Sequence, residues 1–166
     1  MNRYANYVYY VVSLYGVFGP MVTTTMVIYS VGMTKLDRGG YIILFLWQPA
    51  NIALNSMLKK ITNEDRPNGG RNINNIERLI DTDTKGMPSG HAQMVTSTLV
   101  LANAMNSVLW IQTVCLIQYV VTIWQRYHYR KHTCIQLIFG TLVGAVFSLF
   151  YSYFLILRTN DLKPID

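Results

Sequence analysis

Charge is scarce in this chain. Of its 166 residues, 13% are charged and only 8 are acidic, while 51% are hydrophobic. A soluble domain carries about twice that share of charge, so a soluble globule is excluded. Two cysteines, Cys115 and Cys134, are too few for a disulfide-built scaffold or a cysteine zinc site. Both lie in or at the edge of apolar segments and read as core residues, silent on redox compartment. No cluster of Cys, His or acidic residues has metal-ligand spacing, so neither a metal nor another cofactor is expected. The first apolar stretch has no small-residue cleavage site and is rich in Tyr and Thr. It is expected to stay as a membrane span rather than leave as a signal peptide. There is no internal repeat, no low-complexity segment and no Asn-x-Ser/Thr site that would mark sidedness.

What the chain has is long apolar runs broken by basic loops. Net charge is +6. The basic residues sit between apolar stretches and form no basic-aromatic groove, so anionic lipid head groups and phosphorylated substrates are the expected partners, not nucleic acid. Tyr7 to Met33 predicts a first span, with Pro20 inside as a kink and Thr23, Thr24 and Thr25 available for freed carbonyls. A short loop, Thr34 to Gly40, leads to a second span, Tyr41 to Leu58. A long polar loop, Lys59 to Met87, follows. Ser89 to Tyr127 is 39 residues, enough for two spans with a turn near Asn103 to Ser107, the first of them short. After the loop Tyr127 to Lys131, a fifth span runs from His132 to Leu157. The expected fold is all-α: a polytopic membrane helical bundle of about five transmembrane helices, with residues 1–166 as one integral-membrane domain.

Five spans place the N-terminus, the 59–88 loop and the 126–132 loop on one face. That face carries ten Lys or Arg against Lys35, Arg38, Arg158 and Lys163 on the other. The bias toward a cytoplasmic motif face is weak once the proposed ligands are set aside.

Three segments on that face hold phosphate-handling groups. Lys59 and Arg66, followed by Pro67, offer a point charge and a planar fork for the oxygens of a transferring phosphoryl group. Standing alone, such cations at a helix end usually only snorkel to the interface. Pro88-Ser89-Gly90-His91 reads as a helix start. Ser89 caps, Gly90 allows close backbone approach, and the free N–H groups of the first turn suit phosphate oxygens. His91 is placed to donate a proton to a leaving oxygen. Arg126 adds a third cation. His132 opens the fifth span with Gln136 one turn later, and a carboxamide oxygen there would hold one ring N–H and present the other nitrogen as a nucleophile. His128 is the competitor but lacks such a partner. Together these residues suit a metal-free phosphatase that attacks phosphorus with a histidine.

Two stripes accompany them. Gln48, Asn51, Asn55 and Lys59 fall on one face of the second span, either as interhelical hydrogen bonds or as a polar track from the site. His132, Gln136, Gly140, Gly144, Ser148 and Ser152 are each four apart, a small-residue stripe for close packing or, alternatively, a groove for a lipid chain.

The segments resemble the signature motifs of the type 2 phosphatidic acid phosphatase superfamily, the haloperoxidase-like phosphatases: Lys-x6-Arg-Pro, Pro-Ser-Gly-His and Ser-Arg-x5-His-x3-Asp. The resemblance covers Lys59 to Gln136 in order. Gln125 stands where that pattern has Ser, and Gln136 where it has Asp. The strings Arg66-Pro67-Asn68-Gly69-Gly70, Gly86-Met87-Pro88-Ser89-Gly90-His91-Ala92-Gln93 and His132-Thr133-x-x-Gln136 are most similar to the dolichyl-diphosphatase branch, which the resemblance implies also has Gln at the last position. It implies His132 as a nucleophile forming a phosphohistidine, His91 as acid, and Lys59, Arg66, Ser89, Gly90 and Arg126 as phosphate ligands. It implies a lipid diphosphate of the polyprenyl type as substrate and the endoplasmic reticulum membrane as location. Membrane members usually have six spans, one more than counted here, the difference falling at the N-terminus. Phosphatidic acid, a sphingoid phosphate or another lipid phosphate is the alternative substrate, and a non-catalytic protein that binds or moves lipid phosphates is the alternative class.

Overall fold

The computed structural model describes residues 3–33, 36–73, 75–80 and 84–159. Thr34, Lys35 and Lys163 lie outside the described residues, as do Asn74 and residues 81–83 of the long loop. Six helices follow in order: α1 (Arg3–Gly32), α2 (Arg38–Thr62), α3 (Asn75–Ile80), α4 (Gly90–Ala104), α5 (Leu109–His128) and α6 (Cys134–Ile156). Among the described residues there are no strands, only isolated bridges such as Leu36 with Thr159.

The five long helices form a membrane bundle. Three of them, α1, α2 and α6, are long and apolar enough to cross a bilayer on their own. The 15-residue α4 is shorter than the roughly 20 residues a span needs, and α5 alternates its apolar residues with Gln112, Gln118 and Gln125. These two depend on packing against their neighbours, so the expected bundle of about five membrane helices, the third short, holds three that are apolar enough to cross alone and two that are supported.

Local signals set the boundaries. Asp37 caps α2, its Oδ1 accepting the Gly40 N–H at 2.7 Å. Asn63, with φ 47°, ends α2 in the left-handed conformation Asn tolerates. Asn106, at φ 49°, sits in the turn between α4 and α5, within the stretch expected from sequence. Thr133 and Gln136 form a capping box at the start of α6.

Ties at the two ends show that the long helices alternate in direction. At one end the Asp37 N–H donates to the Arg158 carbonyl at 3.1 Å. At the other, the hydroxyls of Ser13 and Tyr129 lie 2.9 Å apart. The N-terminal end of α1, the 63–89 loop and the 129–133 loop therefore share one end of the bundle.

Pro20 lies inside a continuous α1. It has no N–H for the Gly16 carbonyl. That carbonyl is not served by the three threonines that follow, as the sequence suggested, but by α5: the Thr122 hydroxyl donates to it at 3.0 Å. Thr23 instead bonds back to the Gly19 and Pro20 carbonyls, and Thr24 pairs with Thr98 of α4 at 2.9 Å.

The polar face of α2 is tied up in interhelical hydrogen bonds rather than forming an open track. Gln48 donates to Thr98, the Asn51 side chain accepts from Gln93 at 2.7 Å, and Asn55 donates to Gln93 at 2.8 Å. The small-residue stripe of α6 is packing surface against α4. A Cβ at Gly140 would lie 2.5 Å from the Ser89 carbonyl oxygen, and one at Gly144 would lie 2.3 Å from that of Gln93. Ser148 donates to the Ser97 carbonyl at 2.8 Å. This close approach brings the start of α6 against the start of α4. Val at Gly140 or Gly144 should force the helices apart and lower thermal stability in detergent far more than Ser148→Ala, which should cost about 0.6 kcal/mol. Melting followed by tryptophan fluorescence checks the ranking; equal losses would remove the close-packing account.

Candidate active site

The loops at the shared end bring together residues far apart in sequence. His132 lies between α5 and α6, 3% exposed. Its Nδ1 is 3.0 Å from the Gly86 carbonyl and 3.2 Å from Gln136 Oε1. Both partners only accept, so Nδ1 carries the proton and Nε2 keeps its lone pair. Burial pushes the His132 pKa down to about 3, helped by the positive charges of Arg66, Arg126 and Lys59 and opposed by the Gln136 hydrogen bond. The imidazole is thus neutral at physiological pH, with one nitrogen available to attack.

The Gln136 carboxamide is fully engaged. Its oxygen also accepts the Thr133 N–H at 3.2 Å, and its nitrogen donates to Glu64 Oε1 at 2.7 Å and to the Asp65 carbonyl at 3.0 Å. Those acceptors fix which end of the amide faces His132. The backbone carbonyl of Gln136 accepts the Ser89 N–H at 3.1 Å. An aspartate at this position would turn a carboxylate toward Glu64 and the Asp65 carbonyl with no proton to donate. The departure from Asp at position 136 thus has a local cause.

Arg126, at the end of α5, is 1% exposed. Its Nη1 pairs with Glu77 Oε1 at 3.0 Å, and its Nη2 contacts His91 Nε2. Lys131 reaches the same Glu77 oxygen at 3.4 Å. Glu77 also accepts the Ile73 N–H at 2.7 Å, so α3 is anchored on the cationic site. Ser89 caps α4, its Oγ accepting the Ala92 N–H at 3.5 Å, and Gly90 faces the Asn55 carboxamide. Lys59 is buried at the end of α2, and Arg66 lies half-buried beyond it.

The structure thus gathers Lys59, Arg66, Ser89, Gly90, His91, Arg126, His132 and Gln136 at one end. His128 lines one surface cavity with His132, but it is exposed and stacks on Trp124 at 5.1 Å between ring centroids. Cys134 is exposed, not core as its apolar surroundings suggested, because it opens α6 on the outer side of the bundle. Gln125 is fully buried against Gly16, and neither end of its amide has a hydrogen-bond partner among the described residues; nothing in the structure explains the choice of Gln there. Sequence reasoning missed Glu64, Glu77, Lys131 and the Gly86 carbonyl. The scarcity of acidic residues in so apolar a chain was the available signal for the two glutamates.

Fold and site together define a helical membrane protein with cations and two imidazoles gathered at one rim. The family model described as the PAP2 superfamily matches residues 40–159, more than half of the chain. The protein therefore belongs to the PAP2 superfamily, whose members are phosphatases. Comparison with curated proteins and with solved structures gave no match.

The His132 environment carries a pH signature. The unfolded chain binds a proton at an ordinary histidine near pH 6.5, the folded chain only near pH 3. Between these values acidification favours the unfolded state, by up to about 1.4 kcal/mol per pH unit. Above pH 6.5 this group contributes no pH dependence. Thermal stability in detergent should fall between pH 6.5 and 5, and the fall should be smaller in His132→Asn. Imidazole nitrogen NMR should show His132 protonated on Nδ1 and neutral across that range; a midpoint near 6.5 would contradict the buried, cation-flanked ring.

Proposed function

We propose that the protein is a metal-independent lipid phosphatase that hydrolyses an isoprenoid diphosphate of the dolichyl type through a phosphohistidine on His132. The observation that carries the reading is the His132 ring itself: buried, neutral, held by Nδ1 and flanked by three cations. Lys59, Arg66 and Arg126 supply the positive charge that a transferring phosphoryl group requires. Ser89 and Gly90, at the start of α4, add a hydroxyl and N–H donors.

In the first step His132 Nε2 attacks the terminal phosphorus and the bridging P–O bond breaks. His91 gives a proton to the departing oxygen of the lipid monophosphate. In the second step water attacks the phosphohistidine, the P–N bond breaks, orthophosphate leaves, and the water proton returns to His91. Gln136 holds the His132 tautomer through both steps without the charge an Asp would bring, which keeps the ring less basic. Residues 1–166 act as one domain in this scheme. The isoprenoid choice rests on the strings around Arg66, His91 and His132, and with it the endoplasmic reticulum membrane as location.

His132→Ala should reduce phosphate release by at least about a thousandfold, and His91→Ala by about a hundredfold or more. Gln136→Ala should still fold but melt at a lower temperature, because it removes four side-chain hydrogen bonds, and should slow turnover about tenfold or more. Release from a polyprenyl diphosphate in mixed micelles, with EDTA present, measures all three. An acid-labile, base-stable phosphoenzyme should form in wild type and not in His132→Ala. Equal rates for the two would remove the nucleophile, loss of wild-type activity in EDTA would remove metal independence, and a clear preference for a glycerolipid phosphate would remove the isoprenoid assignment.

A further inference from the structure

A cavity of about 110 Å³ lies between α1 and α4, and its walls combine groups of the cationic site with apolar side chains. Gly90, His91 and Arg126 line it, with Glu77 held there by Arg126. Val17, Phe18, Met21 and Met94 supply apolar wall. Met21 is 57% exposed on the outer surface of the bundle, and α1 is long and apolar enough to cross a bilayer. The cavity therefore joins residues of the cationic site to a side chain exposed on the outer surface of α1.

We propose that this cavity seats the first segment of the lipid chain on the leaving side of the reaction, and that it selects single-chain substrates over diacyl ones. The proposal rests on the functional reading above and narrows its substrate. In an in-line displacement the nucleophile and the leaving oxygen lie on opposite sides of phosphorus. His91, the proposed acid, lines the cavity; His132, the proposed nucleophile, does not. The chain travels with the leaving group, so it belongs on the His91 side.

Size decides which chain fits. A dry protein cavity of about 150 Å³ takes one benzene ring. At about 110 Å³ this one takes a single isoprene unit, not a glycerol backbone with two acyl chains. Its length agrees: Val17 to Met21 and Gly90 to Met94 each span one helical turn, roughly 6 Å. The next unit of the chain would pass Met21 into the bilayer. The mixed lining suits an amphiphile whose phosphate stays at the cationic site beside Arg126 and whose first hydrocarbon unit enters the cavity.

The test compares kcat/KM on geranylgeranyl diphosphate, dioleoyl phosphatidic acid and inorganic diphosphate. Wild type should prefer the first over the second. Met94→Trp, which fills the cavity, should lower the ratio of geranylgeranyl diphosphate to inorganic diphosphate by at least about tenfold. Met21→Trp, at the exposed mouth, should lower it in the same direction and covers the case in which Met94→Trp does not fold. Phe18→Ala, which widens the cavity, should narrow the preference over dioleoyl phosphatidic acid. Leu116→Trp, on the outer face of α5 away from the site, should change neither ratio. If release depends on His132 and wild type prefers geranylgeranyl diphosphate, but neither tryptophan variant moves the first ratio, the seat is wrong. If release does not depend on His132, the functional reading falls instead.

Discussion

The carboxamide of Gln136 is the joint on which this end of the protein depends. One side chain accepts from His132 and from the Thr133 backbone, and donates to Glu64 and to the Asp65 carbonyl. Its own backbone carbonyl takes the Ser89 N–H. Thus one residue ties together the start of α6, the histidine before it, the long loop and the cap of α4. A neutral amide suits this because it both donates and accepts, so every lone pair and proton can be met in a site shielded from water. A carboxylate would leave the Glu64 side without a donor.

The second constraint is charge in an apolar chain. Buried cations at a membrane rim are costly unless they are held. Glu77 holds Arg126 and Lys131, and α3 is the element that delivers it. The cations in turn act on His132: with burial, they keep its ring neutral. The arrangement that makes the pocket attractive to phosphate therefore also keeps the neighbouring imidazole unprotonated. This coupling is what the proposed nucleophilic role draws on.

Beneath the site, helix packing supplies the tolerance. Gly140 and Gly144 let α6 lie on the backbone of α4, so His132 and His91 start from helices in near-contact. Thr122 repairs the gap that Pro20 leaves in α1. The hydrogen bonds of Gln48, Asn51 and Asn55 bind α2 to the same α4. The glycine contacts and the α2 hydrogen bonds converge on α4, the shortest of the long helices, which explains how a helix too short to be an independent span keeps its place.

By itself the sequence determined the helical class, the turn between α4 and α5, the alternation that puts three loops at one end, and the identities of the residues gathered there. Apolar periodicity, capping residues and the cost of charge in lipid are local or nearly local properties, readable along the chain. Only the tertiary structure decided what each polar group meets. It assigned Gly16 to Thr122 rather than to the nearby threonines, turned the polar face of α2 into helix pairing, left Cys134 outside, and brought Glu64 and Glu77 to bear on residues 72 and 49 positions away. Hydrogen bonds across such separations depend on how helices cross and how close their backbones come, and no spacing along the chain encodes that.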